Sequence, residues 1–274
     1  IVPAVIVGNG CIIKPAYNTY RIALALIACC PSSASIIDCI IPTDKDSSKL
    51  ISNTTIAGVS FTGSVNVGRH IGQLAASNFK PCVLELGGSD PFIIFKDANL
   101  ETAINTAVTA RFSNAGQTCI SAKRFLFEAT IFDEAISLFK QKSQAYLNDG
   151  DPLNSATTIG PMARQNLKDN VLNQIQQAKL KKHNIIYKYT TKKETGLFVE
   201  PQIIDGRQLS PNNPLLTDEI FGPIATCNSF NSTKNAIQKA NHTKFGLGAS
   251  IWTNQQPTID ECIKSIDCGT IAVN

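Results

Sequence analysis

The 274-residue sequence predicts an α/β protein built around a parallel sheet. Short apolar segments typical of strands alternate along the chain with longer segments of helical periodicity, which is the pattern of β-α-β units. The composition, 43% hydrophobic and 17% charged, is typical of a globular protein with a sizeable core. A chain of this length would hold one large or two medium-sized domains, and we expect two.

The first third of the chain predicts short strands separated by helices. The apolar residues before the Gly8-Asn9-Gly10 turn indicate a core strand. Apolar residues recur through Tyr17–Cys30 and predict a buried helix. The other elements predicted here are strands at Cys11–Lys14, Ile36–Ile41 and Thr55–Phe61 and a helix at Val65–Ala76.

The remaining two thirds continue the alternation. Leu100–Phe112 is a predicted helix because Asn99 can cap it and its apolar residues share a face. The basic run Lys179–Lys193 indicates a solvated helix end and loop. The other predicted elements are strands at Phe92–Phe95, Arg124–Glu128, Pro201–Ile204, Gly246–Trp252 and Thr270–Val273, and helices at Phe132–Leu147, Met162–Lys182, Ser232–Ala240 and Thr258–Asp267.

Charge and cysteine content exclude several classes of protein. The formal net charge of +4 is mild, and no basic face is interleaved with aromatic residues, so no nucleic-acid partner is predicted. No apolar run reaches the length of a membrane span, so no membrane partner is predicted. The nine cysteines include no CxxC pair, which is typical of a reducing compartment. We therefore expect a cytoplasmic protein without a metal site.

One cysteine stands apart from the others. Cys119 lies in the small-residue, polar segment Ser113–Arg124, SNAGQTCISAKR, where Gly116 permits a close approach of backbone. An accessible thiol in such a loop can act as a nucleophile, whereas free cysteines elsewhere are commonly inert core residues. The residues alone leave both interpretations open.

Acidic and polar residues at the ends of predicted strands are further candidates. Glu85 precedes the Gly87-Gly88 turn, where partial desolvation would suit a general base, although an edge-strand glutamate facing water fits equally. Ser64 follows Gly63 at a helix start, so it either caps the helix or holds a phosphate. No GxGxxG fingerprint is present.

Three more residues have both an ordinary and a functional interpretation. Lys14, at a strand end, is commonly just a solvated tip. Glu219 is either a surface acid or an acceptor for a diol. Phe221 is by default a core residue. None of the three histidines lies in a motif, so nothing supports a Cys-His hydrolase.

Three motifs together resemble the aldehyde dehydrogenase superfamily over essentially the whole chain. They are ELGG at Glu85–Gly88, GQTC at Gly116–Cys119 and EIFGP at Glu219–Pro223, in the family's order and spacing. The local sequences GGSDPFII, GPMAR and ARFSNAGQTC look most like those of the succinate-semialdehyde dehydrogenase branch. The resemblance implies an aldehyde dehydrogenase-like fold, with part of a Rossmann-type cofactor domain at residues 1–86 and an α/β catalytic domain with a parallel sheet at 87–274.

The resemblance also implies oxidation of an aldehyde to a carboxylic acid with NAD or NADP as cofactor. Cys119 would be the nucleophile and Glu85 the base that hydrolyses the thioester. An acylating relative that passes its thioester to a thiol such as coenzyme A would not need Glu85. The cofactor-binding residues implied by the family are Lys14, Gly63, Ser64, Leu86, Glu219 and Phe221.

The chain departs from the family pattern in ways that affect function. Tyr17 stands where many NAD-preferring members have a glutamate, so we expect NADP to be tolerated. Ser113 stands where some succinate-semialdehyde dehydrogenases have a carboxylate-binding arginine, and we expect Arg111 to lie on another face. The sequence indicates a fragment truncated at both ends, without the family's upstream oxyanion asparagine. We expect it to be weak or inactive alone, and the full-length protein to be a dimer or tetramer.

Overall fold

A computed structural model describes residues 1–29, 36–192 and 196–274. The chain divides into two compact units, Ile1–Glu85 and Leu86–Asn274, which are called unit 1 and unit 2. Each unit is described by itself. No helix in the described part of the chain is long and apolar enough to cross a membrane.

Unit 1 contains two separate pairs of parallel strands. In the first pair Cys11 lies opposite Ile37, and in the second Val59 lies opposite Cys82. The strands predicted at Cys11–Lys14, Ile36–Ile41 and Thr55–Phe61 are therefore present, although each is shorter than predicted. The elements in chain order are α1 (Val2–Ile6), β1 (Cys11–Ile13), α2 (Tyr20–Ala28), β2 (Ile37–Cys39), α3 (Asp44–Ser52), β3 (Val59–Thr62), α4 (Val65–Ser77) and β4 (Cys82–Glu85).

Two predictions for unit 1 are wrong. The opening segment is the helix α1 and not a core strand, because Pro3 in its first turn suits a helix start and has no N–H for a strand ladder. The predicted buried helix exists as α2, but none of its residues is buried. A two-stranded sheet such as β1–β2 presents too small a face to bury a helix. Cys30, the predicted end of that helix, lies outside the described residues.

Unit 2 is built on a seven-stranded sheet. Its strands are β5 (Pro91–Ile94), β6 (Arg124–Glu128), β7 (Ile185–Lys188), β8 (Gln202–Asp205), β9 (Ile224–Phe230), β10 (Gly248–Trp252) and β11 (Thr270–Val273). Their order across the sheet is β11-β10-β5-β6-β9-β8-β7. All neighbours are parallel except β7 and β8, so the prediction of a parallel sheet is confirmed.

Helices cover both faces of this sheet, as expected for parallel strands. Alternate residues of β5 point to opposite sides: Phe92 and Ile94 belong to one buried cluster, while Ile93 belongs to another. The helices of unit 2 are α5 (Leu100–Phe112), α6 (Phe132–Tyr146), α7 (Gln165–Gln177), α8 (Pro214–Thr217), α9 (Thr233–Ala240) and α10 (Gln256–Ser265).

The basic run is the main difference from prediction in unit 2. Helix α7 ends at Gln177, not at Lys182, and Ile185–Lys188 forms the antiparallel edge strand β7. Lysines suit an edge strand because their charge opposes pairing with another chain. The central strand β9 was not predicted, because its sequence mixes polar residues such as Asn228 and Ser229 with apolar ones.

Arg124, the first residue of β6, connects distant parts of unit 2. Its Nε donates to the carbonyl oxygen of Ser89 at 2.8 Å, while Nη1 and Nη2 donate to those of Lys239 and Ala240, each at 2.7 Å. The guanidinium is buried. It therefore joins the entry to β5 with the end of α9.

Candidate active site

The predicted site residues divide between the two units. Lys14, Gly63, Ser64 and Glu85 belong to unit 1, and the others belong to unit 2. The residues of unit 2 are Leu86, Cys119, Glu219 and Phe221. The structure therefore describes two groups of predicted residues.

In unit 1 the carboxyl ends of two paired strands carry three of the predicted residues. Thr62 of β3 lies opposite Glu85 of β4, and the N–H of Gly63 donates to the carbonyl oxygen of Glu85 at 3.0 Å. Ser64 is the N-cap of α4, but its hydroxyl makes no capping hydrogen bond. The capping interpretation of the Ser64 side chain is therefore wrong, and the first N–H groups of α4 stay available to an anion. Lys14 is exposed immediately after β1.

Glu85 differs from expectation in its surroundings. Its neighbours in β4, Val83 and Leu84, are themselves exposed, and Glu85 is exposed as well. The partial desolvation predicted for this carboxylate is not present, because β4 has only one neighbouring strand in unit 1. Glu85 ends unit 1, whereas Cys119 lies in unit 2, so their pairing stays a prediction.

Cys119 lies after a strained turn in unit 2. Asn114 and Ala115 both have φ of 54°, and Gly116 has φ of 71°. Left-handed backbone is unfavourable for a residue with a Cβ such as Ala115, and strain of this kind is concentrated at functional sites. Gly116 is required, because its φ is positive and a Cβ there would lie 2.6 Å from the backbone oxygen of Gly222. The Cys119 side chain itself is half-buried.

Gln117 holds this loop to a second segment of unit 2. Its Nε2 donates to the carbonyl oxygens of Asn114 at 3.0 Å and Pro161 at 3.3 Å, and its Oε1 accepts the N–H of Ala163 at 2.8 Å. The GQTC and GPMAR segments are therefore in contact. Cys119 is two residues from this connection.

A buried lysine holds the loop from the other side. The ammonium of Lys123 donates to the carbonyl oxygens of Thr118 at 3.3 Å and of Cys119 and Ser121 at 2.9 Å. An ammonium group has three N–H donors, so all of them are used. Burial, with repulsion from Arg111 as a smaller cause, lowers the pKa of Lys123 to about 8. Its three carbonyl acceptors are the partners that a charged ammonium requires.

Glu219 lies against the Gly87-Gly88 turn. The N–H of Gly88 donates to Oε1 of Glu219 at 3.3 Å. A Cβ at Gly87 would collide with the same carboxylate, so a side chain there would displace the end of Glu219. Burial raises the pKa of Glu219, while Lys123, the Gly88 N–H and Arg111 oppose that shift. Its second oxygen, Oε2, accepts no hydrogen bond within the described ranges.

Asp90 and the carbonyl group of Cys119 meet at the same glycine. A Cβ on Gly88 would lie 2.7 Å from Oδ1 of Asp90 and 2.8 Å from the Cys119 oxygen. Burial raises the pKa of Asp90 to about 6, although Lys123 and Arg124 favour the ionised form. Oδ1 of Asp90 has no hydrogen-bond partner among the residues that the structure describes.

Arg111 is a further buried charged residue, close to Lys123 and Glu219. Its Nη1 donates to the carbonyl oxygen of Ala122 and its Nη2 to that of Gly116, both at 2.9 Å. Burial lowers the pKa of Arg111 to about 9, with attraction to Glu219 opposing that shift. Both terminal nitrogens donate to backbone and the side chain is fully buried, so Arg111 is a support for the loop.

The other cysteines of unit 2 lie in different environments from Cys119. Cys227 and Cys262 are buried, and burial raises the pKa of each thiol, to about 11 for Cys262. Burial also raises the pKa of Cys268. The buried thiols of Cys227 and Cys262 are unreactive. Cys268 is half-buried like Cys119, but its Sγ donates to the carbonyl oxygen of Thr270 at 3.3 Å. Within the described residues of unit 2, Cys119 is therefore the cysteine whose thiol is neither buried nor hydrogen-bonded.

The sequence did not predict the roles of Lys123 and Asp90. Lysine and aspartate are usually exposed, and nothing local in SAKRF or GGSDP shows that they will be buried. No local signal in the sequence distinguishes Lys123 or Asp90 from a solvated residue, because their burial depends on groups that come together only after folding.

The comparisons with known proteins concern the whole chain. The sequence profile described as "Aldehyde dehydrogenase family" matches residues 1–274. The succinate semialdehyde dehydrogenase [NAD(P)+] Sad of Escherichia coli is 34% identical over 277 residues, which is 100% of this chain and 59% of that protein. The succinate-semialdehyde dehydrogenase [NADP(+)] of Mycobacterium avium is 33% identical and covers 99% of this chain and 58% of its own length.

A solved structure gives the same result for the fold. The succinic semialdehyde dehydrogenase from Streptococcus pyogenes in complex with NADP+ superposes with a TM-score of 0.89 at 31% identity, over 98% of this chain and 59% of that chain. The predicted fold class is therefore confirmed. The chain spans about 59% of the length of the Escherichia coli relative.

Proposed function

The chain belongs to the aldehyde dehydrogenase family, and we propose that it oxidises an aldehyde to the carboxylic acid with NAD+ or NADP+. The observation that carries this proposal is the setting of Cys119. Its thiol is half-buried on a strained loop held by a buried ammonium, whereas burial raises the thiol pKa of Cys227 and Cys262 in the same unit.

The chemistry begins with attack of the Cys119 thiolate on the aldehyde carbonyl. A carbon–sulfur bond forms, and the carbonyl oxygen takes the negative charge of a tetrahedral thiohemiacetal. The backbone N–H of Cys119, which donates to no acceptor within the described ranges, can stabilise this oxyanion. Loss of the former aldehyde hydrogen with its electron pair leaves a thioester on Cys119.

Glu85 would complete the reaction. Its carboxylate takes a proton from a water molecule whose oxygen attacks the thioester carbonyl. The carbon–sulfur bond then breaks, the acid leaves and the Cys119 thiolate is restored. This role assigns the base to residues 1–86, as part of the cofactor domain, and the nucleophile to residues 87–274, as the catalytic domain.

The residues present fit a nicotinamide dinucleotide. When bound, NAD(P)+ supplies an acceptor for the hydride. The free N–H groups at the start of α4, with the uncapped hydroxyl of Ser64 and the turn at Gly63, suit its pyrophosphate. Lys14 would bind the adenosine ribose. In unit 2, Oε2 of Glu219 could accept from a ribose hydroxyl. Leu86 and Phe221 would contribute to holding the nicotinamide.

Succinate semialdehyde is the first substrate to test, because several relatives carry that name. Two residues of the loop region are already occupied by contacts within the described part of the chain: the Ser113 hydroxyl is hydrogen-bonded to that of Tyr146 at 3.2 Å, and both terminal nitrogens of Arg111 donate to carbonyl oxygens. We therefore expect small aldehydes without a second carboxylate to be oxidised at comparable rates.

The test follows NADH or NADPH absorbance with succinate semialdehyde and with uncharged aldehydes of similar length. Wild-type chain and Cys119→Ala are compared under identical conditions. Aldehyde-dependent reduction that disappears in Cys119→Ala supports the proposal. A wild-type chain that binds cofactor but reduces none of it with any aldehyde would identify the alternative function, a protein that keeps the fold without turnover.

The other partners are proposed from the same family membership. Relatives of this family act on small molecules, and we propose that the full-length protein forms a homo-oligomer, a dimer or tetramer. Sedimentation velocity of the full-length protein at micromolar concentration tests this, because a single monomeric species would contradict it.

A further inference from the structure

The peptide bond before Cys119 is oriented by a charged side chain. The carbonyl oxygen of Thr118 points to Nζ of Lys123 at 3.3 Å. In a trans peptide the C=O and the following N–H point in opposite directions. The N–H of Cys119 is therefore directed away from Lys123, and it donates to no acceptor in the part of the chain that the structure describes.

The same ammonium fixes both sides of the cysteine. It also binds the carbonyl oxygens of Cys119 and Ser121, each at 2.9 Å, so the three contacts leave the loop little freedom to rotate. Lys123 is only 2% exposed. Such a buried charge is costly unless it is fully hydrogen-bonded, which is the case here.

The charged groups that face Lys123 come from several elements. Arg111 of α5 opposes its charge, while Glu219, Asp90 and the Cys119 thiol favour it. The carboxylates of Glu219 and Asp90 lie against Gly87 and Gly88, and neither is hydrogen-bonded to Nζ of Lys123. The carbonyl oxygens of the cysteine loop are therefore the direct partners of this lysine.

We propose that Lys123 is a positioning residue, whose ammonium turns the carbonyl groups of the loop inward and thereby presents the Cys119 N–H to the oxyanion. The proposal rests on the proposed function of Cys119 as a nucleophile that attacks carbonyl carbon. It assigns to Lys123 no contact with substrate or cofactor. Its effect should appear only in reactions that develop negative charge on a carbonyl oxygen.

Two reagents separate this role from general support of the loop. 4-Nitrophenyl acetate acylates a thiolate through a tetrahedral oxyanion: sulfur bonds to the carbonyl carbon and 4-nitrophenolate leaves. Iodoacetamide alkylates the same sulfur by displacement of iodide at a saturated carbon, with no oxyanion. Their rate ratio at Cys119, measured by peptide mass spectrometry, reports the oxyanion donor and cancels changes in thiol ionisation.

The variants are Lys123→Met, which removes donors and charge, and Lys123→Gln, which keeps two N–H donors. We expect the acylation-to-alkylation ratio to fall at least about tenfold in Lys123→Met, since one oxyanion donor is typically worth on the order of 10²-fold, and to be intermediate in Lys123→Gln. Lys140→Met, at an exposed lysine of α6, is the matched control and should leave the ratio unchanged.

Equal falls in both reactions, or an unchanged ratio in Lys123→Met and Lys123→Gln, would overturn the proposal. If Lys123→Met does not fold, Lys123→Gln alone decides by the same criterion. Neither reagent requires an aldehyde or a cofactor. The result is therefore distinct from the absorbance test, and a chain without dehydrogenase turnover would still confirm or refute the role of Lys123.

Discussion

The N–H of Gly88 and the carboxylate of Glu219 are in contact, with 3.3 Å between the nitrogen and Oε1. The two residues are 131 positions apart and belong to the ELGG and EIFGP motifs. The EIFGP motif, which is proposed to bind the cofactor, therefore contacts the Gly87-Gly88 turn, and this turn lies against the backbone oxygen of Cys119. Changes in either motif should therefore affect both cofactor binding and the position of the cysteine loop, to different degrees.

Glu219→Gln should weaken cofactor binding more than folding. Glutamine retains an oxygen for the Gly88 N–H but loses the charge and one acceptor for a ribose hydroxyl. We expect the KM for NAD(P)+ to rise on the order of tenfold, because a hydrogen bond to a charged group contributes about 1.5–3 kcal/mol. Steady-state kinetics with varied cofactor measure this. An unchanged KM would remove Glu219 from the cofactor site.

Gly88→Ala should displace the cysteine loop. The new Cβ would lie 2.8 Å from the Cys119 oxygen and 3.1 Å from Cβ of Leu247, closer than carbon atoms tolerate. A displacement of about 1 Å at a reacting group costs on the order of 10²-fold in turnover. Gly269→Ala is the control, since its nearest neighbour would be the Leu247 oxygen at 3.4 Å. Equal kcat values for the two variants would contradict this role for Gly88.

Asp90→Asn should change how stability depends on pH. Burial raises the pKa of Asp90 to about 6 from an ordinary value of 3.8. Between those values the folded chain holds a proton that the unfolded chain releases, so the free energy of unfolding falls as pH rises from about 4 to 6. The slope is at most about 1.4 kcal/mol per pH unit.

In Asp90→Asn this fall should be absent, so the variant gains stability relative to wild type as pH rises through that range. Urea unfolding at pH 4, 5, 6 and 7 measures the difference. Asp133→Asn, at an exposed carboxylate, is the control. Parallel curves for wild type and Asp90→Asn would show that Asp90 does not titrate in this range.

Tyr17→Glu should reduce the use of NADP+. The Tyr17 side chain is 81% exposed and lies three residues after Lys14, the residue proposed to bind the adenosine ribose. A carboxylate there would repel a 2′-phosphate, and we expect kcat/KM for NADP+ to fall on the order of tenfold while that for NAD+ is retained. Tyr17→Gln separates charge from shape. Equal losses with both cofactors would exclude repulsion as the cause.

Limited treatment with iodoacetamide should modify Cys119 before Cys227 and Cys262. The latter two thiols are 0% exposed, and burial raises the pKa of both. Thiolates, and not thiols, react with this reagent. Peptide mass spectrometry after increasing exposure times measures the order. Early modification of Cys227 would mean that unit 2 opens readily in solution.

Much of unit 2 was predictable because its local signals agree with its fold. Phe92–Ile94 is continuously apolar and forms a central strand, and the Asn99 side chain accepts the Thr102 N–H at 3.1 Å, as its position before α5 indicated. In unit 1 the apolar opening segment was misleading, because Pro3 outweighed its hydrophobicity. Strand β9 lacked an apolar pattern along its whole length, so only the sheet reveals it.

Site residues that belong to a sequence motif were predictable, whereas residues whose role depends on their burial were not. The turn at Gly116 and the loop position of Cys119 were predictable from the segment SNAGQTC, because it consists mostly of small and polar residues between two regular elements. The contacts of Lys123 and Arg111 depend on carbonyl groups that converge only after folding. A single sequence does not distinguish such residues from solvated ones.

Arg124 has a consequence for the kinetics of folding. Its three carbonyl partners lie 35, 115 and 116 positions away along the chain, so these hydrogen bonds close large loops. They should therefore form after the local helices have assembled. Interactions absent from the transition state act mainly on the unfolding rate. This arginine should therefore lengthen the lifetime of the assembled unit against proteolysis while hardly changing how fast the polypeptide reaches it.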